Sequence, residues 1–90
     1  MAERIRIDKW LWHARFYRTR VMAQSAASAG LIRVNGQRVE KSSVAIGPGD
    51  VLTLPRGREV VLVRVVGLAP RRGAACDAQR LYEIVAETPA

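Results

Sequence analysis

The sequence has one cysteine, Cys76, and one histidine, His13, and these shortages exclude several kinds of site. A single cysteine excludes an intramolecular disulfide and predicts a reducing compartment. No apolar run approaches the ~20 residues of a membrane-spanning helix. The charged start MAERIRIDKW is not followed by the apolar stretch of a signal peptide. We therefore expect a cytoplasmic protein that has no membrane partner.

Residues for catalysis and metal binding are also scarce. A nucleophilic site needs Ser or Cys beside a histidine base and an orienting acid, but His13 lies next to tryptophans, where we expect a surface or packing role. Because His13 and Cys76 are each alone and the acids are scattered, no set of metal ligands is present. No glycine-rich phosphate loop matches a known pattern. The sequence predicts a protein that is not an enzyme, with no cofactor, metal or small-molecule substrate.

Basic residues, in contrast, are in excess. Lys and Arg number 15 against 8 Asp and Glu, which gives a net charge of +7. Residues 1–41 hold nine basic and three acidic residues, whereas residues 42–90 hold six and five. Thirteen of the fifteen are arginine, whose planar guanidinium suits phosphate better than the lysine ammonium does. We expect the first half to contact nucleic acid or another anionic surface and the second half to complete the core.

Two short helices are predicted first along the chain. Asp8 is a candidate N-cap for a helix over about 8–16. Thr19 is the candidate N-cap of a second, alanine-rich helix, which ends at Gly30, where a C′ glycine is expected. The very short turn between them is typical of a helix-turn-helix pair.

Strands are predicted after the helices. In LIRVNGQRV, Asn35-Gly36 between alternating apolar residues predicts a hairpin with a type I′ turn. The other predicted segments are a loop at 41–50 that ends in the turn GPGD, a strand at 51–54, a turn at 55–58, a central strand at 59–68, a loop at 69–79, a strand at 81–85 and a frayed end at 87–90. For 81–85 a short helix is the alternative. The expected fold is α+β, with two N-terminal helices packed on a small, mostly antiparallel sheet in a single domain over 1–90, comprising a core motif at 5–54 and the remaining strands at 55–86.

Two pairs of arginines are predicted at positions where like charge is unfavourable. In the hairpin register Arg33 faces Arg38, and opposed like charges destabilise a strand pair by up to ~1 kcal/mol. Arg18 and Arg20 flank Thr19 at the start of the second helix, the end that already carries positive partial charge. A phosphate bound at each pair accounts for both arrangements. The alternative is that the arginines spread apart in solvent.

The tryptophans of the first helix allow two interpretations. Trp10 and Trp12 are two residues apart and cannot share a helix face. We expect one to lie in the core and the other to be partly exposed. An exposed Trp12 either packs against a neighbouring loop or strand or stacks on a base.

These residues together resemble a known family, the S-four RNA-binding domain, named after a small-subunit ribosomal protein. Its motifs appear here as Arg6-Ile7-Asp8, Thr19-Arg20, Gly30, Val34-Asn35-Gly36 and the GPGD of 47–50. The resemblance covers about residues 5–54. Within the family, DKWLW, ARFYRTR, NGQRV and Leu81–Glu83 are similar to a small heat-shock-induced member, whose long basic C-terminal extension is absent from this sequence.

The resemblance implies non-catalytic binding of structured RNA, above all ribosomal RNA of the large subunit. The implied role is rescue or recycling of subunits that hold a nascent chain on tRNA, and a sister group of similar length acts in ribosome-associated quality control. We expect a monomer that contacts ribosomal RNA and also tRNA, with Asp8 orienting or capping rather than touching RNA. Charge and resemblance together predict these RNA-binding residues: Arg6, Lys9, Arg15, Arg18, Thr19, Arg20, Arg33, Asn35, Arg38 and Lys41.

Two other functions are alternatives. One is an RNA-targeting module of an RNA-modifying enzyme or a synthetase, for which 90 residues leave no room for a catalytic domain. The other is a DNA-binding regulator that places its second helix in the major groove. That helix contains AQSAASAG, which is poor in side chains that read bases, and this argues against the regulator.

Overall fold

The computed structural model describes residues 3–68 and 78–89. Its elements in chain order are β1 (Ile5–Arg6), α1 (Ile7–His13), α2 (Arg20–Ser28), β2 (Arg33–Val34), β3 (Gln37–Arg38), β4 (Ala45–Ile46), β5 (Val51–Arg56), β6 (Glu59–Val65), a 3₁₀ turn (Gln79–Leu81) and β7 (Tyr82–Pro89). None of the helices in these ranges has the length and apolar character needed to cross a membrane.

The strands form two antiparallel sheets. β1 pairs with β4 in a small two-stranded sheet, and the other five strands are ordered β3-β2-β5-β6-β7. The α+β class and the mostly antiparallel sheet are as predicted. The segment predicted as the central strand is β6, an interior strand, and β5 is at the centre of the sheet.

The core lies between the helices and one face of the larger sheet. Its buried residues are Ile7, Trp10 and Leu11 of α1, Ala14 just after it, Ala23, Ala26 and Ala27 of α2, and Ile32, Val39, Ile46, Leu52, Leu54, Val61, Val63 and Val65 of the strand regions. Strand side chains alternate between faces, so β6 buries its odd-numbered valines from position 61 onward and exposes Arg64 between them. The alanines of α2 let the two helices approach closely.

The predicted N-cap of α1 is wrong, because the helix begins at Ile7 with Arg6 at the N-cap position. Asp8 lies inside the first turn and is fully buried. The start of the helix is capped by backbone instead: the N–H of Ile7 donates to the Val44 carbonyl at 2.8 Å, and that of Asp8 to the Ser42 carbonyl at 3.4 Å. A local cap signal cannot anticipate acceptors that lie 34 and 37 residues further along the chain.

Both helices end in the same backbone motif. In α1 the N–H groups of Arg15 and Phe16 donate to the carbonyls of Trp12 and Leu11, which is the Schellman pattern. Arg15 is the left-handed residue of this motif, with φ 63°. The motif ends α1 at His13, so the predicted helix over 8–16 is too long. In α2 the left-handed residue is Gly30, as predicted.

Several strand boundaries differ from the predictions. The loop predicted at 41–50 contains β4, and the turn predicted at 55–58 is narrower, because Pro55 and Arg56 belong to β5. The end predicted to fray is the last part of β7, which pairs with Glu59–Val61 through residue 89. The loop predicted at 69–79 falls mostly outside the described residues, as does Cys76.

Candidate functional site

A buried carboxylate organises the first part of the candidate site. Arg6 donates to Asp8 through two parallel hydrogen bonds, Nε to Oδ1 at 3.1 Å and Nη2 to Oδ2 at 3.0 Å. The backbone N–H of Lys9 donates to Oδ1 at 2.7 Å, and the Gln24 side chain forms a further hydrogen bond. Burial acts to raise the pKa of Asp8, but the hydrogen bonds from Arg6, Gln24 and Lys9 together hold that pKa below its ordinary value.

Arg20 reaches the same carboxylate from α2. Its Nε lies 3.8 Å from Asp8 Oδ2, and this nitrogen is buried without a hydrogen-bond partner among the described residues. The side chains of Arg6 and Arg20 remain 47% and 39% exposed. Asp8 therefore gathers two guanidinium groups from different elements while leaving part of each in solvent.

The turn between the helices carries three more predicted residues. Arg15 and Arg18 are exposed. The hydroxyl oxygen of Thr19 accepts a hydrogen bond from the backbone N–H of Met22 at 3.1 Å, so the prediction of Thr19 as the N-cap of α2 is confirmed. Arg18, Thr19 and Arg20 thus stand at the N-terminus of a nine-residue helix, where unpaired N–H groups favour an anion.

The hairpin has the predicted register. Arg33 is paired with Arg38 across the strands, and both turn residues have positive φ, as a type I′ turn requires. The Arg38 guanidinium occupies the space that a Cβ on Gly30 would take. It therefore lies at the C-terminal end of α2, where the helix dipole favours a cation, and this offsets part of the repulsion between the two arginines.

Asn35 is held by the protein itself. Its Nδ2 donates to Asp50 Oδ1 at 3.1 Å, and its Oδ1 accepts from the Val51 N–H at 2.9 Å. Asp50 Oδ2 also accepts from the Gly47 N–H at 2.9 Å, which closes the GPGD turn. In this structure the Asn35 side chain ties the hairpin turn to the start of β5.

Lys41 links the hairpin to the helical part of the site. It is exposed in the segment that leaves β3, and the next residues, Ser42 and Val44, supply the carbonyls that cap α1 beside Asp8. An open groove of about 400 Å³ lies between this segment and the hairpin, and its lining includes Arg38 and Lys41. The structure thus connects the hairpin and the 41–44 segment with Asp8, which lies more than 30 residues before that segment in the sequence.

The first-helix aromatics have separate roles. Trp10 is buried, and its Nε1 donates to the Gly67 carbonyl at 3.0 Å. Trp12 is half-buried beside the buried His13, with ring centroids 5.5 Å apart. The prediction of one core and one partly exposed tryptophan is confirmed. Within residues 3–68 and 78–89, no group of three His, Cys, Asp or Glu side chains is placed to hold a metal ion.

Two residues that shape the site were not predicted from the sequence. Gln24 supports Asp8 from α2, and no local signal marks it, because the contact depends on how the helices pack. Asp50 supports Asn35, and here the GPGD motif gave a partial signal by marking a turn before a strand. The spacing of Arg6 and Asp8 on either side of Ile7 could have suggested their ion pair.

Three comparisons with known proteins agree with this architecture. The S4 domain family model matches residues 5–52. Heat shock protein 15 of Escherichia coli strain K12 is 39% identical over 87 residues, which are 97% of this chain and 65% of that protein. A protein of Bacillus subtilis strain 168 named RQC P-site tRNA stabilizing factor is 34% identical over 83 residues, 92% of this chain and 94% of the relative.

A solved structure is also similar. The trimeric structure of Vibrio cholerae heat shock protein 15 superposes with a TM-score of 0.87 at 38% identity and covers 93% of this chain and 84% of that one. The present chain spans 63–65% of the length of the Haemophilus influenzae and E. coli heat shock proteins that it matches. The family match over residues 5–52, the high identity and the shared fold show that this chain belongs to the S4 domain family.

Proposed function

We propose that this chain is a non-catalytic, cytoplasmic RNA-binding protein that acts on the large ribosomal subunit, in the rescue of subunits that hold a nascent chain on tRNA. The observation that carries the proposal is the joining of the basic segments. Arg6 and Arg20 meet at Asp8, Lys41 precedes the segment that caps α1, and Arg33 and Arg38 lie in the adjoining hairpin. Rigidly held arginines suit structured RNA, which is recognised by shape and phosphate contacts.

The names of the relatives support the ribosomal part of the proposal. Those relatives are named heat shock protein 15 and RQC P-site tRNA stabilizing factor. Residues Arg6, Lys9, Arg15, Arg18, Thr19, Arg20, Arg33, Arg38 and Lys41 form the proposed RNA surface, with Asn35 at its hairpin tip. The target RNA we propose is ribosomal RNA of the large subunit, with tRNA as a second contact.

Co-sedimentation with purified large subunits, small subunits and intact ribosomes tests this function. At near-physiological salt we expect retention on large subunits, with stronger retention when they carry peptidyl-tRNA. Release from every particle at that salt would contradict the ribosomal target and leave a general affinity for RNA. Competition with duplex DNA in the same assay tests the DNA-binding alternative.

Two substitutions test the proposed surface. Arg20→Ala and Arg33→Ala should each weaken RNA binding roughly 10- to 150-fold, since each removes a charge-assisted phosphate contact worth about 1.5–3 kcal/mol. Arg33→Ala should leave the unfolding midpoint unchanged or raise it, because it relieves the repulsion from Arg38. Arg58→Ala, in the exposed β5–β6 turn, is the control with the same loss of charge. If all three variants bind RNA with the affinity of the wild type, this surface does not bind RNA.

The oligomeric state is a separate prediction. We expect a monomer, whereas the similar Vibrio cholerae protein is described as trimeric. Sedimentation equilibrium over a range of protein concentrations decides between them. A mass of about 30 kDa, three times the 10.0 kDa of one chain, would overturn the expectation.

A further inference from the structure

Asp8 is a buried acid that contacts residues of the proposed RNA surface. Its side chain is fully buried, yet its hydrogen-bonding partners include two separate segments, the Arg6–Lys9 region and α2. A carboxylate repels RNA phosphate, so a direct contact between them is unfavourable. We therefore expect Asp8 to affect RNA binding through the residues that it contacts.

The geometry at Oδ2 indicates that function. This single oxygen lies 3.0 Å from Arg6 Nη2 and 3.8 Å from Arg20 Nε. Two guanidinium groups this close repel each other unless an anion lies between them. Asp8 supplies that anion permanently and so fixes the distance between the two arginines before any RNA arrives.

Each guanidinium keeps donors for a second partner. Arginine has five N–H groups, and of those of Arg6 only the Nε and Nη2 groups donate to Asp8. The Nε of Arg20 is buried beside the carboxylate, but the side chains of Arg6 and Arg20 are 47% and 39% exposed, so each keeps N–H groups that solvent can reach. A phosphate is recognised by such paired guanidinium donors.

We propose that Asp8 is a positioning residue that holds Arg6 and Arg20 side by side to bind one RNA phosphate. This inference rests on the proposed function. It predicts that the contribution of these two arginines to RNA affinity depends on their orientation and not on their charge alone. The competing explanation is that the Asp8 contacts only join α1 to α2 and stabilise the fold.

The sign of the effect of Asp8→Asn on RNA affinity separates these explanations. The substitution raises the net charge by one, which by itself strengthens RNA binding. If Asp8 positions the arginines, affinity for large-subunit RNA falls about tenfold in protein shown by circular dichroism to be folded. Glu40→Gln, an exposed acid beside the hairpin, is the matched control. It should bind with unchanged or slightly higher affinity.

A second pair of variants keeps the test decisive if Asp8→Asn fails to fold. Arg6→Lys preserves the charge but removes the fork that forms two parallel bonds with Asp8. It should lose about tenfold in affinity, whereas Arg58→Lys should lose nothing. If Asp8→Asn is folded and binds as tightly as Glu40→Gln, or if Arg6→Lys binds like the wild type, the positioning role is overturned.

The same variants distinguish an error in the positioning role of Asp8 from an error in the proposed RNA surface. If Arg20→Ala and Arg33→Ala weaken binding but folded Asp8→Asn does not, the RNA surface stands and Asp8 is structural. If neither Arg20→Ala nor Arg33→Ala has an effect, the surface itself is wrong. In the double variant that combines Asp8→Asn with Arg20→Ala, the two losses of RNA affinity should not add, because both changes act on the same contact.

Discussion

Arg15 has a backbone conformation that glycine adopts more easily. It ends α1 with φ 63°, in the left-handed region where an L residue pays about 1–2 kcal/mol. Strain of this kind is retained where a side chain is needed. Arg15 is exposed and belongs to the proposed RNA surface. We propose that its guanidinium contributes to RNA binding.

Arg15→Gly tests this explanation by separating stability from binding. We expect the free energy of unfolding to stay the same or rise by up to about 1 kcal/mol, because relief of strain exceeds the added entropy of the unfolded chain. RNA affinity should fall several-fold. Urea denaturation and an RNA titration measure the two effects. A variant that is no less stable and binds RNA as tightly as the wild type contradicts a role for Arg15 in binding.

Single residues also show how far the sequence could predict the site. The opposition of Arg33 and Arg38 followed from the Asn-Gly turn, because a two-residue turn fixes the strand register by itself. The location of the Arg38 guanidinium over Gly30 was not predictable, since it depends on where α2 ends in space. The burial of Asp8 likewise required the 41–44 segment to supply the helix cap.

Among the elements, the hairpin pairs with β5 through β2 and is also joined to the GPGD turn by one acid. Asp50 accepts from Asn35 Nδ2 and from the buried Gly47 N–H, so it links the hairpin tip, the GPGD turn and β5. The two-residue strands β2 and β3 cannot form a stable hairpin alone. Their rigidity, and with it the spacing of Arg33 and Arg38, depends on the pairing of β2 with β5 and on this connection.

Asp50→Ala should therefore loosen the hairpin. We expect a loss of about 1–3 kcal/mol in the free energy of unfolding, because the Gly47 N–H is left without its acceptor. Hydrogen exchange of the Gly47 and Val51 amides should accelerate more than that of amides in the middle of β6. Asp50→Asn retains one carbonyl acceptor and should lie between Asp50→Ala and the wild type. Uniform acceleration across β5 and β6 would show that Asp50 supports the whole sheet equally.

Elements with a strong local pattern were predicted, and elements created by distant pairing were not. Thr19 and Gly30 bracket α2, and the β-branched run of β6 marks an interior strand. β1 and β4 have two residues each and exist only because they pair with each other across about 40 positions. The final part of β7 is ordered by its partner β6, although Glu87 and Pro89 have little strand propensity.

For the whole molecule, the two halves differ in how their charges are compensated. In the second half, Arg56 and Arg64 lie 3.9 and 3.3 Å from Glu87 and Glu83. Exposed pairs such as these contribute little to stability, but they reduce the positive potential around β5, β6 and β7. The candidate site keeps a larger uncompensated charge, so RNA should approach the protein from one side.

The dependence of RNA binding on salt measures that charge. We expect the logarithm of the association constant to fall linearly with the logarithm of salt concentration, because each phosphate contact releases counterions. Arg33→Ala should make the slope shallower by about 0.7–0.9, and Arg64→Ala should leave it unchanged. Equal slopes for the wild type and Arg33→Ala would show that Arg33 does not contact a phosphate.

The ion pair between Arg56 and Glu87 depends on a register shift in the pairing of β6 with β7. Ala86 pairs with Leu62 and Ile84 with Val63, so Val85 is an extra residue without a partner on β6. A single extra residue changes the phase of the strand, and every later side chain changes face. Glu87 therefore faces the same side as Arg56, which in unbroken alternation it would not. One inserted valine thus sets which arginine of the far half is neutralised, and a deletion of Val85 would expose a new cation far from the hairpin.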